Sequence, residues 1–174
     1  EIIFASPVSG TVSEIVRGEK RKLLEIRIKA DAQIEYIKYD LPKVEDLSAE
    51  KIIEALKKSG LWVCLKQRPY GIIPNPNVEP KAIFVSGFSS VPAAPDYDYA
   101  LKDEFDNIQL AINALNKLTK GGVHMGLSRI SANSTPLHKL KNVYFHVFDG
   151  PHPADNVGVQ IHHISPVNKG EVVW

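Results

Sequence analysis

Thiols are nearly missing from this chain. Its 174 residues include one cysteine, Cys64, which excludes an internal disulfide and a multi-thiolate zinc site and suits a reducing compartment. A dominant charge is missing as well. Lys plus Arg number 21 against 20 for Asp plus Glu, so no global field draws in nucleic acid or anionic lipid. No run approaches roughly eighteen consecutive apolar residues, so no helical bilayer span is predicted, and there is no signal-peptide pattern. Repeats and low-complexity tracts are absent too. What remains is an ordinary globular composition, 44% hydrophobic and 24% charged, enough for one substantial core or two small domains.

Both ends are apolar. Glu1 leads into Ile2-Ile3-Phe4, which reads as a strand already under way, and Val172-Val173-Trp174 is again strand-like. Natural termini are usually polar and loosely held, so an excised piece of a longer polypeptide is expected.

Residues 1–29 read as β structure. Val12 and the run Leu24, Ile26, Ile28 alternate, with Pro7, Gly10 and Gly18 supplying turns. Arg17-Gly18-Glu19-Lys20-Arg21-Lys22 is a cationic hairpin tip, read as a solvated turn that protects an edge. Residues 31–47 look like a connector. Ser48 is placed to cap a first helix with the buried stripe Ile52, Ile53 and Leu56, and Gly60 to end it. A proline-dense loop spans residues 69–80. Ala82 to Val85 then reads as a strand buried on both faces, as in a parallel sheet.

A second helix is predicted over Glu104–Leu118, with apolar residues three and four apart and Gly121-Gly122 as its stop. Strands at Val123–Leu127 and Val143–Phe148 complete a βαβ grammar. Val157, Val159 and Ile161 alternate, so Gly158–Ile164 is predicted to be an extended strand, with His162 and His163 on opposite faces.

An open α/β sheet invites a nucleotide, but the phosphate fingerprints are missing. No G-x-G-x-x-G follows a strand, and there is no G-x-x-x-x-G-K. Gly87-Phe88-Ser89-Ser90-Val91 resembles a nucleophile elbow without the second glycine that the tight turn needs, and Pro92 and Pro95 delay any helix. Asp96, Asp98, Asp103, Glu104 and Asp106 are read as favourable charge at a helix start. Three of the six histidines fall in GPHPADNVGVQIHHI, residues 150–164. Alternation leaves two metal ligands there at most, and His124, His138 and His146 match no ligand spacing. No metal site and no catalytic residue is predicted. The histidines read as hydrogen-bonding positions at an interface or pocket wall.

Phe4-Ala5-Ser6-Pro7-Val8-Ser9-Gly10-Thr11-Val12, Ser59-Gly60-Leu61-Trp62, Arg68-Pro69, Gly150-Pro151-His152-Pro153-Ala154, Ile161-His162, Pro166-Val167 and Val173-Trp174 occur in order along nearly the whole chain. Together they resemble the A subunits of sodium-translocating NADH:quinone oxidoreductases. The resemblance implies an α/β fold with a small β barrel-sandwich-like segment first. An open Rossmann-like sheet related to the flavin subunit of complex I would follow. Residues 1–30 would be the second half of a biotinyl/lipoyl-like module, 31–47 the connector, and 48–174 the Rossmann-like domain, truncated at its C-terminus.

The resemblance further implies a peripheral subunit on the cytoplasmic face of a bacterial inner membrane. Its partners would be the other subunits of a six-subunit pump that couples NADH oxidation and quinone reduction to sodium export. NAD, FAD, FMN and iron–sulfur centres would belong to those other subunits, with no cofactor and no cofactor-binding residue here. The departures point the same way. Trp62 to Arg68 puts bulk where the complex I relative has a glycine-rich flavin loop, and Ser86-Gly87-Phe88-Ser89-Ser90 replaces an acidic, Asn-rich turn. The common acidic-Thr-Asn-Pro turn of the A subunits reads Ser89-Ser90-Val91-Pro92 here. The role expected for this subunit is quinone-associated or structural, the isolated piece not catalytic. His152, His162 and His163 are the candidate donors to quinone carbonyl oxygens. The alternatives are a free-standing α/β small-molecule-binding module without catalytic activity and a histidine-based metallohydrolase.

Overall fold

The structure, a computed structural model, describes residues 2–174. Glu1, first residue of the segment expected to be half of a barrel-sandwich module, lies outside them. The chain divides into a small unit, Phe4–Pro42, and a larger one, Lys43–Trp174, with which Ile2 and Ile3 group. The strand expected at Ile2-Ile3-Phe4 is not formed; regular pairing starts only at Gly10.

The small unit is an antiparallel ribbon of β1 (Gly10–Arg17) and β2 (Leu23–Ala30). The apolar alternation sets its register: Val12 faces Ile28, and Ile15 faces Ile26. A register shift between Val12 and Glu14 twists the ribbon, and Ser13 there donates to the Arg27 carbonyl at 3.2 Å. The cationic tip closes with Gly18 N–H on the Lys22 carbonyl at 2.8 Å. Lys20 and Arg21 both take left-handed φ, 54° and 62°. Arg27 bridges Glu14 and Glu25, each at 2.6 Å, across an exposed face where such pairs add little. Ser9 clamps the segment that leaves the ribbon, its Oγ accepting from Glu35 N–H and donating to the Glu35 carbonyl, both at 2.7 Å.

In the larger unit, α1 (Ala49–Lys58) forms where its punctuation predicts. Ser48 Oγ accepts from Lys51 N–H, Gly60 turns the chain at φ 76°, and Ile52 is buried. A 3-10 turn, Leu61–Cys64, then drops Trp62 into the core. Its indole N–H donates to the Pro74 carbonyl at 2.9 Å, which ties down the proline-rich loop. β3 (Ile83–Ser86), β4 (Val123–Ser128) and β5 (Tyr144–Phe148) form a parallel sheet in that order. A short α2 (Tyr97–Ala100), capped by Asp96, precedes α3 (Phe105–Asn116). α3 stops two residues before the predicted Leu118, because Lys117 closes its last turn and reaches the Glu45 and Leu47 carbonyls at 2.7 and 2.8 Å.

Alternation along β3 splits the core. Ile83 packs with Val123, Met125, Ile112 and Trp62 on the α3 side, and Phe84 with Ile161 and Val173 on the other. β3 is therefore buried on both faces, as its continuous apolar run predicts. Outside β3 the chain returns at Val172–Trp174. Trp174 N–H donates to the Ala82 carbonyl at 3.1 Å and its carbonyl accepts from Phe84 N–H at 2.7 Å, while Val173 bridges to Arg68 on its other side. Trp174 also meets Trp62 edge-on at 5.2 Å.

One predicted element is wrong in kind. Residues Val157–Ile164 form a helix, α4, not a strand. Asn156 Oδ1 caps it by accepting from Gly158 N–H at 2.8 Å, and Ile161 packs on β3 while Gln160 is buried beneath. The Val-x-Val-x-Ile alternation is real, but Val157, Ile161 and Ile164 equally mark one helical face. Packing on Ala82 and Phe84 chose the helix.

Candidate functional site

Ligands of open α/β sheets bind outside the carboxyl ends of the strands, where chain order reverses about the first strand. Here the chain runs from β3 to β4 to β5 and returns through α4 to the opposite side of β3. The carboxyl edge at β3 is therefore the switch point of this sheet.

Two loops meet there. After Ser86 the chain turns at Gly87, whose N–H donates to the Gly126 carbonyl at 2.8 Å, and runs through Ser89 and Ser90. After β5 comes the stretch from Gly150 to Asn156. Asp155 ties the loops together: its carboxylate accepts from Ser90 Oγ at 2.5 Å and Ser89 Oγ at 3.1 Å. Asp155 N–H returns a bond to Ser90 Oγ at 3.3 Å. The Ser90 hydroxyl bond, more than the others, holds the Asp155 carboxyl below the usual carboxylate range. His152 stands beside the knot, Nδ1 3.3 Å from Asp155 Oδ1 and 3.4 Å from Ser90 Oγ.

Serine, histidine and aspartate in contact suggest a hydrolytic triad, but the arrangement is wrong for one. In a working triad the histidine stands between the other two, using one ring nitrogen for each. Here a single nitrogen faces both, and Ser90 gives its only hydrogen to Asp155. The imidazole is not interposed to take the hydroxyl proton, so the group is a clasp between loops.

Beneath the clasp lies Gln160 of α4, buried at 1% exposure. Its Nε2 donates to Ser86 Oγ and the Ala154 carbonyl, each at 3.2 Å. The carboxamide rests on Gly126, where an added Cβ would come within 2.3 Å of Oε1. A flavin or dinucleotide phosphate needs bare backbone amides at this edge. The edge instead presents a glutamine amide already bonded and two serines already committed. These residues do not fit such a group. A cavity near Phe105 and Leu137, on the α3 side, measures only about 10 Å³, room for a water.

The predicted histidines do not converge. His152 belongs to the clasp. His162 and His163 are exposed neighbours on the last turn of α4, rings edge-to-face at 5.6 Å. His162 lines a cleft of about 270 Å³ with Arg68, Pro69, Gly158, Ile161 and Val167. Opposite strand faces are replaced by adjacent helical positions. Among the described residues no three His, Cys, Asp or Glu side chains are grouped to hold a metal.

Sequence reasoning missed a different pair. His124 on β4 and His146 on β5 meet Nδ1 to Nε2 at 2.9 Å. His124 Nε2 lies 3.2 Å from the Gly121 carbonyl. That carbonyl can only accept, so His124 carries its proton on Nε2 and His146 Nε2–H donates to His124 Nδ1. The ring stack continues to Phe84 and Tyr144, each 5.0 Å from His124. Burial lowers the pKa of both histidines; the Gly121 bond opposes it at His124, and the neighbouring His124 adds to it at His146. Even numbering on two parallel strands was the available signal. It needs the register, which pairs His124 with Tyr144 and Gly126 with His146.

A twisted β ribbon followed by a parallel sheet with helices on both faces, its carboxyl edge clasped shut, defines a two-module α/β protein. Residues 47–174 match the model of the NqrA second alpha/beta domain, and residues 1–31 that of the NqrA N-terminal barrel-sandwich hybrid domain. The chain belongs to the NqrA family. It is 34% identical over 175 aligned positions to the A subunit of the Na(+)-translocating NADH-quinone reductase of Histophilus somni (strain 2336). The same identity holds for the A subunits from Neisseria meningitidis serogroup A / serotype 4A and from Pseudomonas aeruginosa. In each case 99% of this chain aligns with 38–39% of the relative. The chain thus spans about two fifths of the length of the curated relatives it matches.

Proposed function

We propose that this chain is part of the A subunit of a sodium-translocating NADH:quinone reductase and serves there as a cofactor-free platform associated with quinone. The observation that supports the cofactor-free part is the closed carboxyl edge, where Gln160 on Gly126 and the Ser89/Ser90–Asp155 clasp occupy the switch-point crevice. The parallel sheet with α3 and α4 on opposite faces supports a Rossmann-like origin shared with the flavin subunit of complex I. On this reading NAD, FAD, FMN and iron–sulfur centres work in other members of a six-subunit assembly. This subunit docks at the cytoplasmic face of the inner membrane; no helix among the described residues is long and apolar enough to cross it.

The quinone contact belongs at the α4 cleft. His162 there can donate to a carbonyl oxygen, with Ile161, Val167 and Pro69 as apolar wall, the composition quinone pockets require. His163 on the same turn is an outer contact, and His152, held in the clasp, a more distant one. The test is photolabelling of the full-length subunit, with its complex present, by an azido-quinone. Adducts mapped to the peptide holding His162 and His163 are the expected outcome. Adducts confined to other subunits would overturn the quinone role, and flavin absorbance in the purified protein would overturn the cofactor-free one.

A further inference from the structure

Among the described residues the Arg68 side chain has no hydrogen-bond or ion-pair partner. Its backbone is fixed: Arg68 N–H donates to the Val173 carbonyl at 2.9 Å, and the adjoining turn closes with Gly71 N–H on the Gln67 carbonyl at 2.8 Å. The side chain is half-buried, and its Nε is sealed from solvent with no acceptor. Most other cations that are tied down here have a plain acceptor. Lys81 meets Glu171 at 3.0 Å, Arg27 meets two carboxylates, and Lys117 meets two carbonyls.

A cation taken half out of water without a counter-charge is costly. Arginine presents a planar fork matched to a two-oxygen anion. The cleft it lines has the matching shape: one cationic group, one imidazole from His162, and walls of Pro69, Ile161 and Val167, with Gly158 contributing no side chain. At about 270 Å³ it is close to the smallest ligand pockets and holds only a small group.

We infer that the Arg68 cleft is a carboxylate-binding site, taking an acid whose carboxylate meets the guanidinium and whose short apolar stem lies against Ile161 and Val167. The acid is either a free short-chain carboxylate or an Asp or Glu side chain on another polypeptide. The chemistry is shared and the sources are separable. This goes beyond the quinone reading, which asks for a neutral ring and a donor, and it uses the same cleft: an acid seated at Arg68 lies against the Ile161 and Val167 walls that a quinone ring beside His162 needs, so the two ligands compete.

The test uses the whole chain with specifically labelled arginine, following the Arg68 Nε–Hε resonance during titration with sodium butyrate, butyramide, inorganic phosphate and N-acetyl-leucyl-glutamate amide. Saturable butyrate binding is expected, with butyramide at least about tenfold weaker, since a hydrogen bond to a charged group is lost. R68Q is expected to weaken butyrate about tenfold or more, and R68K severalfold, because the charge stays while the fork is lost. Tighter binding of the glutamate peptide than of butyrate would assign the site to a polypeptide partner; the reverse would assign it to a free acid. Equal binding of butyramide and butyrate, response to phosphate alone, or undiminished butyrate binding by folded R68Q would each overturn the inference. Should R68Q fail to fold, R68K and the resonance in the unmutated chain still decide. Failure here leaves the photolabelling result untouched.

Discussion

Gln160 and Gly126 share one space: the buried carboxamide of α4 lies where any side chain at position 126 would begin. G126A must therefore push the amide off Ser86 Oγ and the Ala154 carbonyl. Overpacking of this kind costs about 1–3 kcal/mol. In a Q160A background the space is empty and the same alanine should cost far less. Urea denaturation of both single variants and the double variant measures this coupling, and equal cost in both backgrounds would refute the contact.

Asp155 should behave as the charged member of the clasp. Its pKa is lowered, chiefly by Ser90, so its contribution is full above the ordinary aspartate value. It is lost as pH falls through the lowered one. D155N is expected to cost about 1.5–3 kcal/mol at neutral pH, the range for hydrogen bonds to a charged group, and to flatten stability against pH below about 4. Activity toward ester substrates should be absent in both proteins, since Ser90 is not activated; ester hydrolysis lost on S90A would contradict the clasp reading.

The His124–His146 pair titrates with the opposite chemistry and the same direction of pH dependence. Both folded pKa values lie below the unfolded value, so the unfolded chain takes up protons first on acidification. Stability is complete above about pH 6.5 and declines as pH falls through the lowered values. H146N should shrink that decline. Long-range ¹⁵N–¹H spectra at a pH of about 7.5, above the ordinary histidine range, should show the Nε2–H tautomer for His124, and an Nδ1–H signal there would reverse the assigned bond.

Two tryptophans in contact should respond unequally to the same change. The Trp62 indole N–H satisfies the Pro74 carbonyl, whereas the Trp174 indole N–H is buried without an acceptor. W62F leaves a carbonyl orphaned in the core; W174F removes an orphan. W62F is expected to be the more destabilising by at least about 1 kcal/mol, read from chemical denaturation, and the opposite order would contradict the hydrogen-bond assignments.

Much of this architecture can be read from local chemistry. Ser48 and Gly60 bracket α1, the three-and-four spacing from Phe105 to Leu115 gives α3, and the continuous apolar run at Ala82–Val85 gives the buried strand β3. Where two periods fit the same residues, local reading fails. Val157-Gly158-Val159-Gln160-Ile161 satisfies both, β-branched content favoured extension, and the side of Phe84 left bare by α3 decided for a helix. The candidate site was legible in its parts but not in its joins. Nothing local says that Ser90 reaches Asp155, that Arg68 lines a cleft with His162, or that His124 meets His146 across two strands. Those contacts depend on register and crossover, which a single sequence leaves open.

The Val172–Trp174 segment links Arg68 on one side, through Val173, with the β3 chain on the other, through Val172 and Trp174, so this part of the sheet is stitched from segments remote in sequence. Opening any one strand there strips bonds from both neighbours, and small local fluctuations cannot expose these amides singly. The protons on Arg68, Phe84 and Trp174 should exchange with deuterated solvent at a common rate, set by concerted opening of that ladder.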